Sequence, residues 1–192
     1  DPHSAVACEL FQTKEPTKQE RSLAKTFNYA AAYGSGVKKI WGTLVVDFPD
    51  IPMDHVARLL DRWRTRLCTG VTRWQADQLA LATKEGYIET PISHRRMYFF
   101  GRVKPTQVCD WPIQHSGSDV INEAICIVDR ELCWPTEGIL AQVHDSLVCD
   151  GPNEKRLGDL LKKAMEVTRL GMKFTVTVKS GPTWGEVKKW RG

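Results

Sequence analysis

Apolar residues recur at helical spacing through most of the first hundred positions. Ala5, Val6, Ala7 and Leu10 give residues 1–13 one apolar side, with Asp1 or Ser4 as its cap. A charged stretch broken by Pro16 separates this from a second helix over 21–33, marked by Leu23, Phe27, Ala30 and Ala31 and stopped by Gly34. Residues 37–46 are ambiguous, because Thr43-Leu44-Val45-Val46 suits a strand and a helix alike. Beyond Pro49 and Pro52, the residues Val56, Leu59, Leu60, Trp63 and Leu67 share one face and predict a helix over 53–67. Trp74, Leu79 and Leu81 predict another over 71–85, ended by Gly86. Residues 87–100 read as extended and basic. Val120, Ile121, Ala124, Ile125 and Val128 predict a helix over 113–133. Ala141-Gln-Val-His-Asp-Ser-Leu-Val148 then reads as two short strands meeting at a tight turn. Asn153 caps a helix reaching about residue 170, and residues 173–179 alternate, with Phe174, Val176 and Val178 on one face of a half-buried strand. Gly181-Pro182 turns the chain into Trp184-Gly185-Glu186. The pattern predicts an α+β chain, with a helical first half, a mixed second half and a seam near residues 95–110.

Composition narrows this little. The 192 residues suffice for one large domain or two small ones, and 42% hydrophobic with 26% charged is ordinary for a water-soluble fold. No apolar run is long enough to cross a membrane, so no membrane partner is expected. The chain opens on Asp1-Pro2-His3, with no signal-peptide pattern. Its six cysteines form no CxxC pair, which favours free thiols in a reducing compartment over a zinc site. The net charge of +4 permits a polyanionic partner without requiring one.

Two stretches carry candidate chemistry. His144 and Asp145 stand at the hairpin tip, and a carboxylate fixed there suits Mg²⁺, which takes hard oxygen ligands. Asp is also common in plain turns, so these eight residues leave both readings open. Arg21 and Lys25 lie four apart on one helix face, and Tyr29 and Tyr33 continue the stripe. Cations neutralise phosphate and aromatic rings stack on bases, so the stripe suits a nucleoside triphosphate; a solvated basic face fits it as well.

Arg21-Ser-Leu-Ala-Lys25-Thr-Phe-Asn28-Tyr29-Ala-Ala-Ala-Tyr33-Gly34 resembles the fingers-helix motif of family A DNA polymerases, the bacterial polymerase I and phage group. Three more segments match in order: Asp1-Pro2-His3 resembles the Asp-x-His before that helix, Pro112-Ile113-Gln114 the Pro-x-Gln of a palm helix, and His144-Asp145-Ser146 the palm His-Asp-Glu. Gly86-Tyr87 followed by Arg95-Arg96, and the closing Trp184-Gly185-Glu186, fit phage members. The resemblance implies a helical fingers subdomain over 1–96, followed by the C-terminal part of a palm over 97–192 with antiparallel sheet and packed helices. It implies template-directed DNA synthesis, with primer–template DNA and a dNTP as partners and two Mg²⁺ ions as cofactors. Asp145 would be the metal ligand, and His144 would lie near the primer terminus. His3, Arg21 and Lys25 would hold the triphosphate, Tyr29 would lie against the sugar, and Tyr33 near the templating base. Gln114 would touch the duplex near the primer end. Lys18, Lys38 and Lys39 are weaker candidates for template phosphates, each more readily read as a solvated side chain.

Ser146 stands where the family has Glu, and Ala30 where Gly is common. The family's first metal-binding Asp precedes the Asp-x-His segment and has no counterpart in this chain. Asp47, after Leu44-Val45-Val46, comes in the wrong order to replace it and reads better as a turn residue. These departures lead to the expectation of a C-terminal piece of a split or cleaved polymerase. Its partner, an N-terminal fragment as a second polypeptide, would bring the other Asp, in the cytoplasm of a bacterial or phage-infected cell. A non-catalytic primer–template-binding module derived from such an enzyme is the alternative, and Ser146 is the feature that leans toward it. A metal phosphohydrolase would need more His and Asp ligands than the chain clusters, and an accessory subunit would leave Arg21, Lys25 and the hairpin tip unexplained.

Overall fold

The computed structural model describes residues 1–190. The chain divides into two compact units: residues 1–89 with 96–112, and residues 90–95 with 113 onward. The architecture is α+β, mostly helical, with four separate two-stranded antiparallel sheets.

In the first unit, α1 (Pro2–Phe11), α2 (Lys18–Ala32), α3 (Val37–Leu44) and α4 (Met53–Arg62) enclose one core. Val6, Leu10, Leu23, Phe27, Ile40, Leu44, Val56, Leu60 and Trp63 are buried in it, and each large side chain so buried contributes about 1.5–3 kcal/mol. The ambiguous segment resolves as helix α3, whose Ile40 and Leu44 meet this core. α4 runs on into a π-turn (Trp63–Leu67), closed by Cys68 N donating to Trp63 O at 2.8 Å. After α5 (Thr69–Glu85), a hairpin of β1 (Tyr87–Glu89) and β2 (Arg96–Tyr98) pairs Tyr87 with Tyr98 and Ile88 with Met97. Ile88, Met97 and Phe99 turn inward onto a second cluster with Ala82 and Val108.

Helix α6 (Pro105–Glu131) contributes to both units. The apolar spacing predicts a start at 113, and Pro112, which lacks an N–H and crowds the preceding turn, ordinarily interrupts a helix. The helix instead begins at Pro105 and carries Pro112 inside it. Val108 and Cys109, buried in the turn before Pro112, hold that turn helical through packing.

The second unit packs α6 against α7 (Glu154–Met165) and the hairpin of β3 (Gly138–Val143) and β4 (Ser146–Asp150). Ile139, Leu147 and Cys149 close over Ile121, Ala124, Val128, Leu157 and Leu160. The register shifts between Ile139 and Ala141, leaving Leu140 as a bulge. Asn153 caps α7 by accepting from Arg156 N at 3.0 Å. α7 stops at Met165 rather than near 170, because β5 (Thr168–Arg169) turns back through Leu170 and Gly171, both at positive φ, onto β6 (Met172–Lys173). The strand expected over 173–179 is interrupted. Phe174, Val176 and Val178 are half-buried in alternation, yet 174–178 form no ladder, and pairing resumes at β7 (Lys179–Ser180) with β8 (Lys188–Lys189). Alternation records which face is covered; a ladder also needs a neighbouring strand in register. Trp184–Glu186 forms a short 3-10 turn.

Candidate active site

The α2 stripe is built by capping and packing. Thr17 and Glu20 form a reciprocal capping box: Thr17 Oγ1 accepts from Glu20 N at 3.2 Å, and Thr17 N donates to Glu20 Oε2 at 2.7 Å. Leu23, Ala24, Phe27 and Ala31 fix the buried side. Arg21, Lys25 and Tyr29 are left exposed. The C-terminal end is held by Gln75, whose Nε2 donates to Ala31 O at 2.8 Å and Ala32 O at 2.7 Å. Asn28 Oδ1 accepts from the buried Trp63 Nε1 at 2.8 Å, which ties the middle of α2 to the end of α4. Gly34 follows at φ +72, where a Cβ would lie 3.0 Å from Cys109 Sγ, so both conformation and space require glycine.

Helix α1 brings its first residues to the same face. Asp1 caps α1, accepting from His3 N at 3.2 Å and Ser4 Oγ at 2.8 Å. Its Oδ2 also accepts from Arg21 Nε at 2.7 Å. The His3 ring meets Tyr29 edge-on, with centroids 5.1 Å apart, and Lys25 Nζ lies 6.0 Å from the Tyr29 ring centre. The structure therefore gathers His3, Arg21, Lys25 and Tyr29 on one surface. His3 Nδ1 is buried there without a hydrogen-bond partner among the described residues, an unmet donor or acceptor of the kind a bound ligand satisfies. The Arg21–Asp1 pair is exposed on both sides and easily exchanged for another anion. Tyr33 occupies the C-cap of α2, its N–H donating to Tyr29 O. Lys18 lies in the first turn of α2, Lys38 and Lys39 in α3, all exposed.

The second candidate centre is the β3–β4 tip. Val143 and Ser146 pair, so His144 and Asp145 form a two-residue turn. His144 adopts φ 53, and Gln142 Nε2 donates to His144 O at 3.2 Å, steadying the turn. Both side chains are exposed. Asp145 Oδ1 accepts from Ser146 Oγ at 3.5 Å, the limit of a hydrogen bond. Among the described residues no three His, Cys, Asp or Glu side chains converge as a metal site. Asp145 offers a single carboxylate, which does not by itself fit a two-ion centre. Asp47, on a turn after α3, does not extend that set: its N–H donates to Leu44 O at 3.2 Å. Gln114 is exposed on α6 within the second unit.

One cluster escaped the sequence reading. Asp119 on α6 is buried, its side chain 2% exposed. It accepts from Arg95 Nε at 2.7 Å and Ser93 N at 3.3 Å. Arg95 Nη2 donates onward to His115 O at 3.2 Å. Burial pushes the Asp119 carboxyl up, but hydrogen bonds from Thr90, Ser93 and Arg95 outweigh it and hold the group below its ordinary value. The cluster clamps the 90–95 loop onto α6. The available signal was an acid beside Val120 and Ile121 on the apolar side of a long helix.

The chain's relatives are polymerases. A family model, DNA polymerase family A, matches residues 1–186. The chain is 28% identical over 202 residues to DNA polymerase I of Deinococcus radiodurans, covering 98% of this chain and 20% of that protein. It is 27% identical over 206 residues to DNA polymerase I of Geobacillus stearothermophilus, covering 98% and 22%. The chain thus spans about a fifth of the length of these relatives. Among solved structures it resembles the POL domain of Pol1 from M. smegmatis in complex with DNA primer-template and dNTP. The TM-score is 0.70 at 26% identity, over 86% of this chain and 31% of that one. By sequence across nearly its whole length and by fold, the chain belongs to DNA polymerase family A.

Proposed function

We propose that this chain supplies the nucleotide-binding helix and a metal-binding carboxylate of a template-directed DNA polymerase. The observation that carries the reading is the gathering of His3, Arg21, Lys25 and Tyr29 on the α1–α2 face. On this reading, the first unit corresponds to fingers and the second to part of the palm, and the segments Gly86-Tyr87, Arg95-Arg96 and Trp184-Gly185-Glu186 support a phage-type enzyme acting in the cytoplasm of a bacterial or infected cell.

The roles follow from charge. A primer hydroxyl attacks the α-phosphorus of a dNTP in line, and negative charge grows on the phosphoryl oxygens and the departing pyrophosphate. Lys25 donates to that triphosphate as a mobile point charge, and Arg21 exchanges Asp1 for a bidentate grip on phosphate. His3, buried at Nδ1 and braced by Tyr29, supplies a further polar contact, and Tyr29 presents its ring to the sugar. Tyr33 lies near the templating base, and Gln114 and His144 contact the duplex near the primer end. Divalent ions, when bound, polarise phosphoryl oxygens and activate the attacking hydroxyl. Asp145 offers them one carboxylate, and further ligands would come from polymerase sequence outside these 192 residues.

Primer extension by the polymerase containing this chain tests the reading. Incorporation that collapses in Lys25→Ala and in Asp145→Ala supports it; full activity in both variants overturns it. Ser146 in the family's Glu position favours a second reading, a primer–template-binding module without catalysis. Salt-sensitive DNA binding with no incorporation in the complete protein would select it.

A further inference from the structure

The loop between α3 and α4 carries chemistry that the nucleotide-binding face does not use. From Val45 to Ala57 the chain holds Asp47, Asp50 and Asp54 and no Lys or Arg, although the whole protein has a net charge of +4. Val46, Phe48, Ile51 and Met53 are interleaved with these acids. The loop borders a cavity of about 520 Å³ in the first unit. Its floor is Phe11, Leu23, Phe48 and Ile51, its rim carries the exposed Asp47 and Asp50, and no Lys or Arg lines it. Neither of these two carboxylates has an ion pair or hydrogen bond among the described residues, whereas Asp54 is paired with Arg58 at 2.6 Å. Val46 is 77% exposed and Met53 41%, so apolar surface continues at both ends of the stretch that lines the cavity. The loop is held in one shape. Trp41 Nε1 donates to Ile51 O at 2.9 Å, Phe48 N to Leu44 O at 2.9 Å and Ile51 N to Phe48 O at 3.1 Å, while Pro49 and Pro52 restrict φ.

We propose that this loop and its cavity dock a partner protein, through a segment in which lysine or arginine is interleaved with bulky apolar side chains. Charge decides against nucleic acid: two carboxylates with no internal cation repel phosphate and attract a cationic segment. Apolar area decides against a merely basic partner. Phe11, Phe48 and Ile51 leave water only when an apolar side chain enters the cavity. Extent decides against a small ligand, since one that filled the cavity would leave Val46 and Met53 bare, whereas an extended segment covers them together with it. The acids and apolar side chains of residues 46–53 are then met by the cations and apolar side chains of the partner. Because the loop is already bonded in one shape, little of its freedom is lost on docking. The proposal does not depend on catalysis by this chain.

The experiment measures, by fluorescence anisotropy without DNA, the binding of three labelled peptides of equal length. One alternates lysine with leucine, one lysine with serine, and one glutamate with leucine. The lysine–leucine peptide should bind, and the other two at least about tenfold more weakly. Asp50→Lys should weaken the lysine–leucine peptide at least about tenfold, Asp50→Asn less, and Val46→Ser about three- to tenfold. Asp50 and Val46 are exposed, so these substitutions leave the core intact. A photoreactive leucine in the peptide should crosslink to residues 46–53. Unchanged binding in Asp50→Lys, equal binding of the lysine–serine peptide, or crosslinks confined to other segments would overturn the proposal. So would competition by leucine amide at the peptide's own affinity, which would give the cavity to a small apolar cation. Self-association of the protein that Asp50→Lys abolishes, read by sedimentation, would give the loop to a second copy and overturn it as well.

Discussion

The α1–α2 face and the β3–β4 tip are two ways of presenting charge. On the face, each functional side chain is located by another residue of the same unit: Arg21 by Asp1, His3 by Tyr29, and the helix beneath by Trp63 and Gln75. At the tip, the backbone is fixed by strand pairing and by Gln142, and the Asp145 carboxylate takes a long hydrogen bond from its neighbour Ser146. A cationic surface functions as an assembled patch, because phosphate needs several donors aimed at one place. A lone carboxylate does not function as a metal site, because each ion requires several oxygens. On the function proposed above, the face would therefore be complete within its unit, and the tip would be one component of a centre.

The sharpest test of this contrast is Asp145→Ala in the complete polymerase. Incorporation should fall about 10³-fold or more in kcat, with little change in KM for dNTP, since a metal carboxylate acts on the transition state. A change in KM alone, measured by steady-state primer extension, would place Asp145 with the substrate-binding groups. Next in size is Lys25→Ala, expected to lower kcat/KM for dNTP about 10- to 100-fold, the worth of one charge-assisted hydrogen bond. An unchanged kcat/KM would reduce the α2 stripe to a solvated basic face.

Asp119→Asn tests whether the second unit is stabilised by its buried clamp. Loss of the charge that pairs Arg95 should cost about 1–3 kcal/mol, read by urea denaturation. The carboxyl is held below its ordinary value in the fold. Its contribution is thus fully present above the unfolded pKa, near about 4, and is lost as pH falls through the lower folded value. Asp119→Asn should flatten that acid-side loss, and an unaltered pH profile would remove Asp119 from it. The smallest effect belongs to Asp1→Asn, expected to cost under about 1 kcal/mol, because the pair with Arg21 is exposed. A larger loss on thermal unfolding would show that the pair holds α1 on α2.

Much of this was legible beforehand. Leu23, Phe27 and Ala31 located α2, and the stripe Arg21, Lys25, Tyr29 emerged opposite them on helical geometry alone. The alternation around His144-Asp145 located the hairpin and its tip. The first turns of α6 were not legible, because the apolar spacing of 113–133 does not extend back through Pro112, and burial of Val108 and Cys109 outweighs the local rule against proline within a helix. Phe174, Val176 and Val178 misled differently: their alternation is present in the fold, but strand pairing over 174–178 is not.

The sequence by itself determined the local quantities: which segments coil, which side of each is apolar, and where two cations, two tyrosines and one acid stand along the chain. These depend on neighbours within a few residues, so spacing encodes them. Only the tertiary structure decided that His3 lies against Tyr29, that Asp1 holds Arg21, that Asp119 anchors the 90–95 loop, and that Tyr87, Tyr98 and Phe100 form one open row. Those pairs join residues brought together by helix packing, loop closure and strand register, and their energies exist only once the core has formed.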